Sequence, residues 1–294
     1  MKEENMNLDK LDLTEVIIDK EHKEKIFDFV HQQKKYYFKK GDLEYCYKSL
    51  IGSEIAKCLG IPTLEFSLAT YNGDYGVVSP TYNPENKKEV NLSVILEKYY
   101  DEVISKNKED FSNEQFLEST LNLETIWWAI EYYYKEKQNV KEITANLMKQ
   151  LVDYYILQII IGEIDLHSKN ICILDSEEPT LAKYYDYDAS FEISFSSRIP
   201  YGYAMNPYPN PESRETTPVQ SIRTFLSASD SSYADYLNEI INKAPDIEFI
   251  FERVEEKTGF PMPEEYKEEY RYLYHHYLKN INTILEDYFH NLKK

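Results

Sequence analysis

The feature that most limits how this chain can fold is a long apolar stretch that ends in a run of polar residues. The stretch at Val140–Ile164 has the spacing of a buried helix, and Lys, Gln, Asp and Glu interrupt it too often for a membrane span. It leads into Asp165–Asn170, then a strand at Ile171–Leu174, a turn and a second strand. The two strands predict a hairpin, which would bring Asp186 back beside Asn170.

Asp165, Asn170 and Asp186 form a set suited to phosphoryl transfer. One carboxylate can orient an acceptor hydroxyl and take its proton, while an amide oxygen and a second carboxylate can hold Mg²⁺ against nucleotide phosphates. Asp165 and Asn170 have the Asp-x-x-x-x-Asn spacing of the protein-kinase catalytic loop. Such a short pattern often only caps a helix or turn, but the helix before it and the hairpin after it favour the functional interpretation. Asp188 is an alternative to Asp186, and His167 either steadies the loop or contacts a phosphate oxygen.

The N-terminal part of the chain predicts a small sheet that carries one helix. The predicted strands are Leu13–Asp19, Lys25–Val30, Tyr36–Lys40, Glu65–Tyr71 and Tyr75–Ser79, and the helix is Leu43–Leu59, ended by Gly60. The polar stretch Ser79–Asn91 follows as a hinge. We therefore expect an N-lobe at residues 1–82 and a C-lobe at residues 83–294.

Most of the pattern beyond the hinge is helical. The predicted helices are Leu92–Ile104, Asn113–Leu121, Leu123–Lys137, Val140–Ile164 and approximately 219–228, 232–257 and 263–292, with the second hairpin strand at Leu181–Tyr185. The proline-rich segment 192–218 is predicted to be irregular and to help shape an acceptor site. The predicted fold class is α+β: a protein-kinase-like, two-lobed fold with a small β-rich N-lobe and a larger, mostly helical C-lobe.

Lys39 ends an apolar strand of the small lobe and is predicted to contact the α- and β-phosphates of ATP. Lys35 and Lys40 are alternatives for the inward-facing lysine. A glutamate on the following helix should position Lys39, and Glu54 is preferred over Glu44 for that role. Adenine is predicted to lie against backbone groups of Val78 and Ser79, where the chain leaves the small lobe.

Composition and charge argue against other classes of protein. The net charge of −19 would repel nucleic acid over most of the surface, so no direct nucleic-acid partner is expected. Cys46, Cys58 and Cys172 have the spacing of neither a zinc site nor a disulfide framework. The N-terminus is polar and lacks the apolar stretch of a signal peptide. We expect a cytoplasmic protein that does not contact membranes.

Three stretches, in this order, resemble the HipA-like kinase family, the bacterial two-lobed serine/threonine kinases known from toxin–antitoxin systems. Ser53–Pro62 resembles the family's helix that ends in Leu-Gly-Ile-Pro. Gly162–Asn170 resembles its catalytic loop, Gly-x-x-Asp-x-His-x-x-Asn. Leu181–Asp186 resembles its metal-binding strand, Leu-Ala-Pro-x-Tyr-Asp.

The resemblance implies binding of ATP and Mg²⁺ and transfer of the γ-phosphate to a Ser or Thr of a protein substrate. It assigns catalysis to Asp165 and metal binding to Asn170 and Asp186, and it suggests an antitoxin-like protein partner. The chain departs from the family in three places. Lys183 replaces the usual Pro, Ser49 stands where the helix Glu is expected, and no glycine-rich phosphate loop precedes Lys39.

The Ser49 and glycine-loop departures favour a second function, a catalytically weak or inactive pseudokinase that acts as a nucleotide- or protein-binding module. A third function stays open because the residues Asp165, Asn170 and Asp186 do not identify the acceptor: the same lobes could phosphorylate a small molecule or lipid head group.

Overall fold

The computed structural model describes residues 6–8, 15–18, 26–106, 122–163, 168–187, 190–191, 221–222, 225 and 231–291. Its strands are β1 Met6–Asn7, β2 Glu15–Ile18, β3 Ile26–His31, β4 Lys34–Lys40, β5 Ser67–Tyr71, β6 Asp74–Pro80, β7 Lys88–Asn91, β8 Cys172–Asp175 and β9 Thr180–Leu181. Its helices are α1 Leu43–Leu59, α2 Leu92–Tyr99 with a π-helical extension Tyr100–Ile104, α3 Leu123–Tyr133, α4 Val140–Ile161, α5 Ser231–Ile241, α6 Ile247–Thr258 and α7 Glu264–Asn291.

The chain divides into two compact units, each built from separate segments. The sheet unit consists of Met1–Glu85, Lys183–Phe191 and Lys243–His275. The helical unit consists of Asn86–Ala182, Glu192–Asn242 and His276–Lys294. An α+β fold with an N-terminal sheet followed by a mostly helical region is therefore confirmed. The lobe boundary after residue 82 stays a prediction.

The sheet unit contains a six-stranded sheet in the order β1-β5-β6-β4-β3-β2, in which β1 pairs parallel with β5 and the other pairs are antiparallel. Asn72 and Gly73, both with positive φ, join β5 to β6, as the Asn-Gly dipeptide predicts. One face of the sheet buries an aromatic and aliphatic cluster. Its buried members are Leu8, Phe27, Phe29, Phe38, Ala69 and Val78.

Helix α1 begins and ends where its capping residues predict. The Asp42 side chain accepts a hydrogen bond from the Tyr45 amide at 2.8 Å, and Gly60 closes the helix with a φ of 78°. Helix α6 packs against α1. Both helices belong to the sheet unit.

The helical unit surrounds α4, whose second half is buried on all sides, as its continuous apolar sequence predicts. Gly162 ends this helix with a φ of 63°, and a Cβ atom there would lie 2.0 Å from the Tyr277 ring. Strands β7, β8 and β9 form a three-stranded antiparallel sheet in that order. The β8–β9 pair is the predicted hairpin.

The sequence patterns missed several features of the described chain, among them strand β1. Strand β7 lies in the predicted hinge, and the single helix predicted at 232–257 is divided into α5 and α6. The division follows from Pro245, which disfavours helical backbone at the residue before it, and from Asp246, which caps α6 through the Glu248 amide at 3.0 Å. The predicted helix Asn113–Leu121 and the segment 192–218 lie outside the described residues.

The three cysteines are free thiols, with Cys46 and Cys172 buried and Cys58 partly exposed. Among the described helices, none has the length and apolar character that crossing a lipid bilayer requires.

Candidate active site

Lys39 and Asp186 form an ion pair in the sheet unit. The Lys39 Nζ atom lies 3.0 Å from Asp186 Oδ1, and each side chain keeps about a fifth to a quarter of its surface exposed, 20% and 24%. Lys39 also lies 5.5 Å from the centre of the Tyr45 ring, on α1. The predicted phosphate-binding cation and the predicted metal ligand are therefore neighbours that remain accessible to a ligand.

The neighbouring lysines of β4 have other carboxylate partners. Lys35 Nζ lies 2.8 Å from Asp28 and Lys40 Nζ lies 2.5 Å from Asp74. Their side chains are more than twice as exposed as that of Lys39, at 46% and 44%. Of the three lysines considered from the sequence, Lys39 is the one that the structure brings to Asp186.

Asp186 is positioned by the chain segment just before it. Tyr184 forms a parallel bridge with Thr63, donating its amide hydrogen to Pro62 O at 3.0 Å and accepting from the Leu64 amide at 2.9 Å. The Thr63 hydroxyl adds a hydrogen bond to Tyr184 O at 3.2 Å. The chain after the Leu-Gly-Ile-Pro stretch therefore holds the segment that ends in Asp186.

Tyr187 anchors the other side of Asp186. Its ring is almost fully buried, its hydroxyl hydrogen-bonds the Thr63 hydroxyl, and it packs edge-on against Phe66. A Cβ atom at Gly52 would lie 2.2 Å from the Tyr187 ring, so the absence of a side chain there lets Tyr187 approach α1. Residues on both sides of Asp186 are thus held by the middle of α1 and by the chain that follows this helix.

The expectation that Glu54 positions Lys39 is corrected by the structure. Glu54 is 1% exposed, and its Oε1 atom lies 3.0 Å from Lys57 Nζ and 2.7 Å from Lys257 Nζ. Arg253 Nε lies 2.8 Å from Oε2 in an ion pair that lacks hydrogen-bond alignment. Glu54 lies on the side of α1 that faces α6, and the cations of α6 hold it there.

The electrostatic environment of Glu54 favours the ionised form of its carboxylate. Burial alone would raise the pKa of Glu54, but hydrogen bonds from Lys257 and Lys57, together with their charges, outweigh it and leave the pKa below its ordinary value. The alternative, Glu44, pairs with Lys48 at 3.1 Å. Sequence reasoning did not predict that Asp186 pairs with Lys39. It had assigned Lys39 to the nucleotide phosphates and Asp186 to the metal ion held against them.

Val78 and Ser79 lie on β6, between β4 and β5. The Val78 side chain is part of the aromatic cluster, so a ligand on the opposite face could reach it only through backbone groups. Ser79 pairs with Tyr37 of β4 and is 1% exposed. Both residues lie on a strand that the sequence analysis predicted, and their contact with adenine stays a prediction.

In the helical unit, the start of α2 holds the two ends of the segment that contains Asn170. The Ser93 amide donates to Ser168 O at 3.2 Å and the Leu92 amide donates to Ile171 O at 2.8 Å. After the hairpin turn, the Ala182 amide donates a hydrogen bond to Cys172 O at 2.8 Å. Asp165, His167 and Asp188 lie outside the described residues.

Among the described residues, no group of three or more His, Cys, Asp and Glu side chains could hold a metal ion. A kinase-type Mg²⁺ site needs no such group, because one or two protein oxygens and the nucleotide phosphates complete it. Asp186 offers a half-buried carboxylate beside a cation that suits phosphate, and Asn170 offers an amide oxygen. These residue types fit Mg²⁺ with ATP.

Comparison with known proteins establishes the fold. The structure is similar to the crystal structure of the proinflammatory kinase CtkA of Helicobacter pylori, with a TM-score of 0.65 and 16% identity, over 97% of this chain and 99% of that chain. The chain has a protein-kinase-like fold. A weaker match, with a TM-score of 0.44 and 13% identity, covers 88% of this chain and 59% of HipA from Shewanella oneidensis, solved with HipB and operator DNA. No protein-family model matches the sequence, and a search of curated proteins finds no match.

The kinase-like fold is the one that the sequence motifs predicted. The first motif, Ser53–Pro62, ends at the residue whose carbonyl accepts a hydrogen bond from Tyr184. Tyr184 belongs to the third motif, Leu181–Asp186, and also forms the bridge with Thr63. Two motifs that lie far apart in the sequence therefore meet in one structural feature.

Proposed function

We propose that this chain is an ATP-dependent serine/threonine protein kinase of the HipA-like type. The observation that supports the proposal most strongly is the 3.0 Å pair between Lys39 and Asp186. A cation for phosphate oxygens beside a carboxylate for Mg²⁺ is the arrangement that phosphoryl transfer requires, since its catalysis depends mainly on positioning and charge neutralisation.

Each polar residue has a proposed task. Lys39 binds the α- and β-phosphates, and Asn170 and Asp186 hold Mg²⁺. Asp165 orients the acceptor hydroxyl and accepts its proton, while His167 steadies the loop or contacts a phosphate oxygen. Bound Mg-ATP supplies the transferable phosphoryl group, with its charge partly neutralised by the metal. A protein Ser or Thr is the proposed acceptor, and an antitoxin-like protein is the proposed partner.

The test is intact-mass analysis after incubation with Mg-ATP and with candidate protein substrates. We expect mass increments of one phosphate for the wild-type chain. Lys39→Ala should reduce their rate by on the order of a hundredfold or more, because a preorganised charge on the reacting group is lost. Lys40→Ala is the matched control, since Lys40 lies on the same strand and pairs with Asp74.

Transfer by Asp165→Ala at the wild-type rate would remove Asp165 from the mechanism. Equal transfer by the Lys39→Ala and Lys40→Ala variants would contradict the role of Lys39.

A nucleotide-binding module without catalysis is a second candidate function, favoured by the partners of Glu54. Because Lys57, Arg253 and Lys257 occupy this carboxylate, Glu54 does not position Lys39, and Asp186, which does pair with Lys39, is a residue that Mg²⁺ would need. Tight ATP binding that does not depend on Mg²⁺, with no phosphate transfer, would support the module.

A further inference from the structure

A cluster of charged side chains connects helix α1 with helix α6 and with the chain that follows α1. Its members, which we call the Glu54 cluster, are Glu54, Lys57, Glu65, Arg253 and Lys257. Glu54 lies at the centre, with 1% of its side chain exposed. Because Glu54 does not position Lys39, the proposed mechanism gives this buried carboxylate no task.

Burial restrains Glu54 and the cations around it. A buried carboxylate that loses a cation partner is left with uncompensated charge, which is strongly destabilising, so Glu54 and its cations keep their places together. Glu65 is 58% exposed, and an exposed ion pair alone restrains its partners little. Lys57 joins the two carboxylates, with hydrogen bonds to Glu54 Oε1 at 3.0 Å and to Glu65 Oε1 at 2.6 Å. The exposed glutamate is therefore tied to the buried one.

The residue before Glu65 is held through both of its backbone polar groups. Leu64 O accepts a hydrogen bond from the Ser53 hydroxyl at 2.7 Å, and the Leu64 amide donates to Tyr184 O at 2.9 Å. Ser53 and Glu54 are consecutive on α1, as Leu64 and Glu65 are on the chain after it. Two adjacent residues of the helix therefore restrain the two adjacent residues next to Tyr184.

We propose that Glu54 is a positioning residue for Asp186, an inference that rests on the metal-binding role given to Asp186 in the proposed function. The link runs through Lys57 and the chain at residues 64 and 65 to Tyr184, which lies two residues before Asp186. Loosening the Glu54 cluster should therefore displace the carboxylate of Asp186.

The two charged groups of the proposed site should respond differently to such a displacement. Lys39 is held separately, because its strand β4 pairs with β3 and β6. Mg²⁺ requires near-ideal octahedral geometry, whereas a lysine amine binds phosphate as a point charge. A looser Glu54 cluster should weaken the binding of Mg²⁺ with ATP and leave metal-free ATP binding intact.

Lys57→Met tests the link, because it removes the side chain that joins the two carboxylates and leaves Glu54 with Arg253 and Lys257. Calorimetric titration with ATP in excess chelator and with Mg²⁺ gives the metal enhancement, defined as the ratio of the two affinities. We expect this ratio to fall roughly three- to tenfold, as for couplings carried by contact networks, while the affinity in chelator stays at or above its wild-type value. Glu54→Gln should reduce the ratio at least as much.

Amide hydrogen exchange provides a second readout, which needs no nucleotide. The amides of Leu64 and Tyr184 donate to Tyr184 O and Pro62 O, and looser docking would expose both amides to solvent. In Lys57→Met they should exchange several-fold faster than in the wild-type chain. The Ala182 amide, bonded to Cys172 O in the helical unit, should keep its wild-type rate.

Glu255→Gln is the matched control. Glu255 lies on α6, pairs with Lys267 at 2.6 Å and accepts a hydrogen bond from the Met262 amide at 2.8 Å. This variant should melt at a lower temperature than the wild-type chain, as Lys57→Met should. It should keep the wild-type metal enhancement and the wild-type exchange rates at Leu64 and Tyr184.

Wild-type metal enhancement in Lys57→Met, or wild-type exchange at Leu64 and Tyr184, would overturn the inference and leave the proposed function in place. Equal weakening of ATP binding with and without Mg²⁺ would show a general loss of structure and overturn it as well. So would the same loss of metal enhancement in Glu255→Gln. If the wild-type chain itself shows no metal enhancement, the metal-binding role of Asp186 fails, and the inference fails with it.

Discussion

The roles proposed for Lys39 and Asp186 would make phosphate and Mg²⁺ binding depend on each other. Phosphate would compete with Asp186 for the lysine, and Mg²⁺ would compete with Lys39 for the carboxylate. Either ligand alone would break the contact between Lys39 and Asp186, whereas both ligands together would replace it on each side. Phosphate and metal should therefore bind with positive coupling.

Asp186→Asn should remove one carboxylate that competes with phosphate for Lys39 in the absence of metal. We expect its affinity for ATP in excess chelator to rise by up to about tenfold, the equivalent of one partly buried ion pair, and its dependence on Mg²⁺ to diminish. Calorimetric titration with and without Mg²⁺ measures both quantities. Asp74→Asn, which releases Lys40 instead, should leave them at wild-type values. Metal-free binding as weak in Asp186→Asn as in the wild-type chain would show that the pair does not restrain Lys39.

A second carboxylate with an unusual environment lies in the helical unit. Asp153 of α4 accepts a hydrogen bond from the Tyr236 hydroxyl of α5 at 2.6 Å, and Lys149 lies above the Tyr236 ring. Burial raises the pKa of Asp153 to about 6, although the Tyr236 hydrogen bond and the Lys149 charge act in the opposite direction. The folded chain thus binds this proton more tightly than the unfolded chain does.

The stability that this proton provides is complete below the unfolded pKa of Asp and is lost as the pH rises through about 6. Asp153→Asn keeps an acceptor for Tyr236 and has no charge to bury. Relative to the wild-type chain, it should gain on the order of 2 kcal/mol of unfolding free energy near pH 7, with a smaller gain near pH 5. Urea unfolding at the two pH values measures the difference. If Asp153→Asn gains the same unfolding free energy at both pH values, the gain does not come from the protonation of Asp153.

Single side chains also show what the sequence could and could not predict. Lys39 was identifiable because it ends an apolar strand next to an anticipated phosphate site. Its partner was not, since Asp186 is 147 positions away and only the folded chain shows which carboxylate reaches the amine. The partners of Glu54 were missed for the same reason: Lys57 is one helical turn away, but Arg253 and Lys257 belong to α6.

Among the secondary-structure elements, those with local signals were predicted well. Helix α1 spans the predicted residues Leu43–Leu59 and ends at Gly60, and the β5–β6 hairpin turns at Asn72 and Gly73. Strands that depend on distant partners were missed. Met6–Asn7 pairs with Ala69–Thr70, and Lys88–Asn91 pairs with β8, more than 80 residues further along the chain. No pattern within such short segments reveals those partners.

Helix α1 offers a test of how Asp186 is positioned. Gly52→Ala places a Cβ atom against the Tyr187 ring, which is buried and anchored to Thr63 and so has little room to move. Overpacking of this kind typically costs about 1–3 kcal/mol, against a gain of roughly 1 kcal/mol from replacing Gly by Ala within a helix. We expect a net loss of stability and weaker Mg²⁺-dependent nucleotide binding, measured by urea unfolding and calorimetric titration.

Gly60→Ala is the matched control for that variant. Gly60 has a φ of 78°, but a Cβ atom there meets nothing within 4 Å. This substitution should reduce stability by about 1 kcal/mol through backbone strain, with less effect on metal-dependent binding. If the two variants weaken nucleotide binding equally, the contact between Gly52 and Tyr187 does not position Asp186.

At the scale of the whole molecule, the excess of acidic over basic side chains is expected to lower the stability of the folded chain. The chain carries 52 acidic and 33 basic side chains, so unscreened repulsion opposes the compact state. Raising sodium chloride from about 10 mM to about 0.3 M should increase the melting temperature by a few degrees, because the screening length shortens from roughly 30 Å to well below 10 Å. Choline chloride should have the same effect if screening is the cause. A melting temperature that falls with salt would show that attractive ion pairs, such as those around Glu54, dominate instead.

The sheet unit is assembled from three segments that the helical unit separates in the sequence. A ribosome that adds about 5–20 residues per second needs many seconds to pass from Thr63 to Tyr184, and longer to reach the end of the third segment. During that interval the β-sheet strands exist, but the loop that must receive Tyr184 has nothing to bind. The strand that carries Lys39 would thus be made well before Asp186, and the Lys39–Asp186 pair could form only after the second of the three segments has been synthesised.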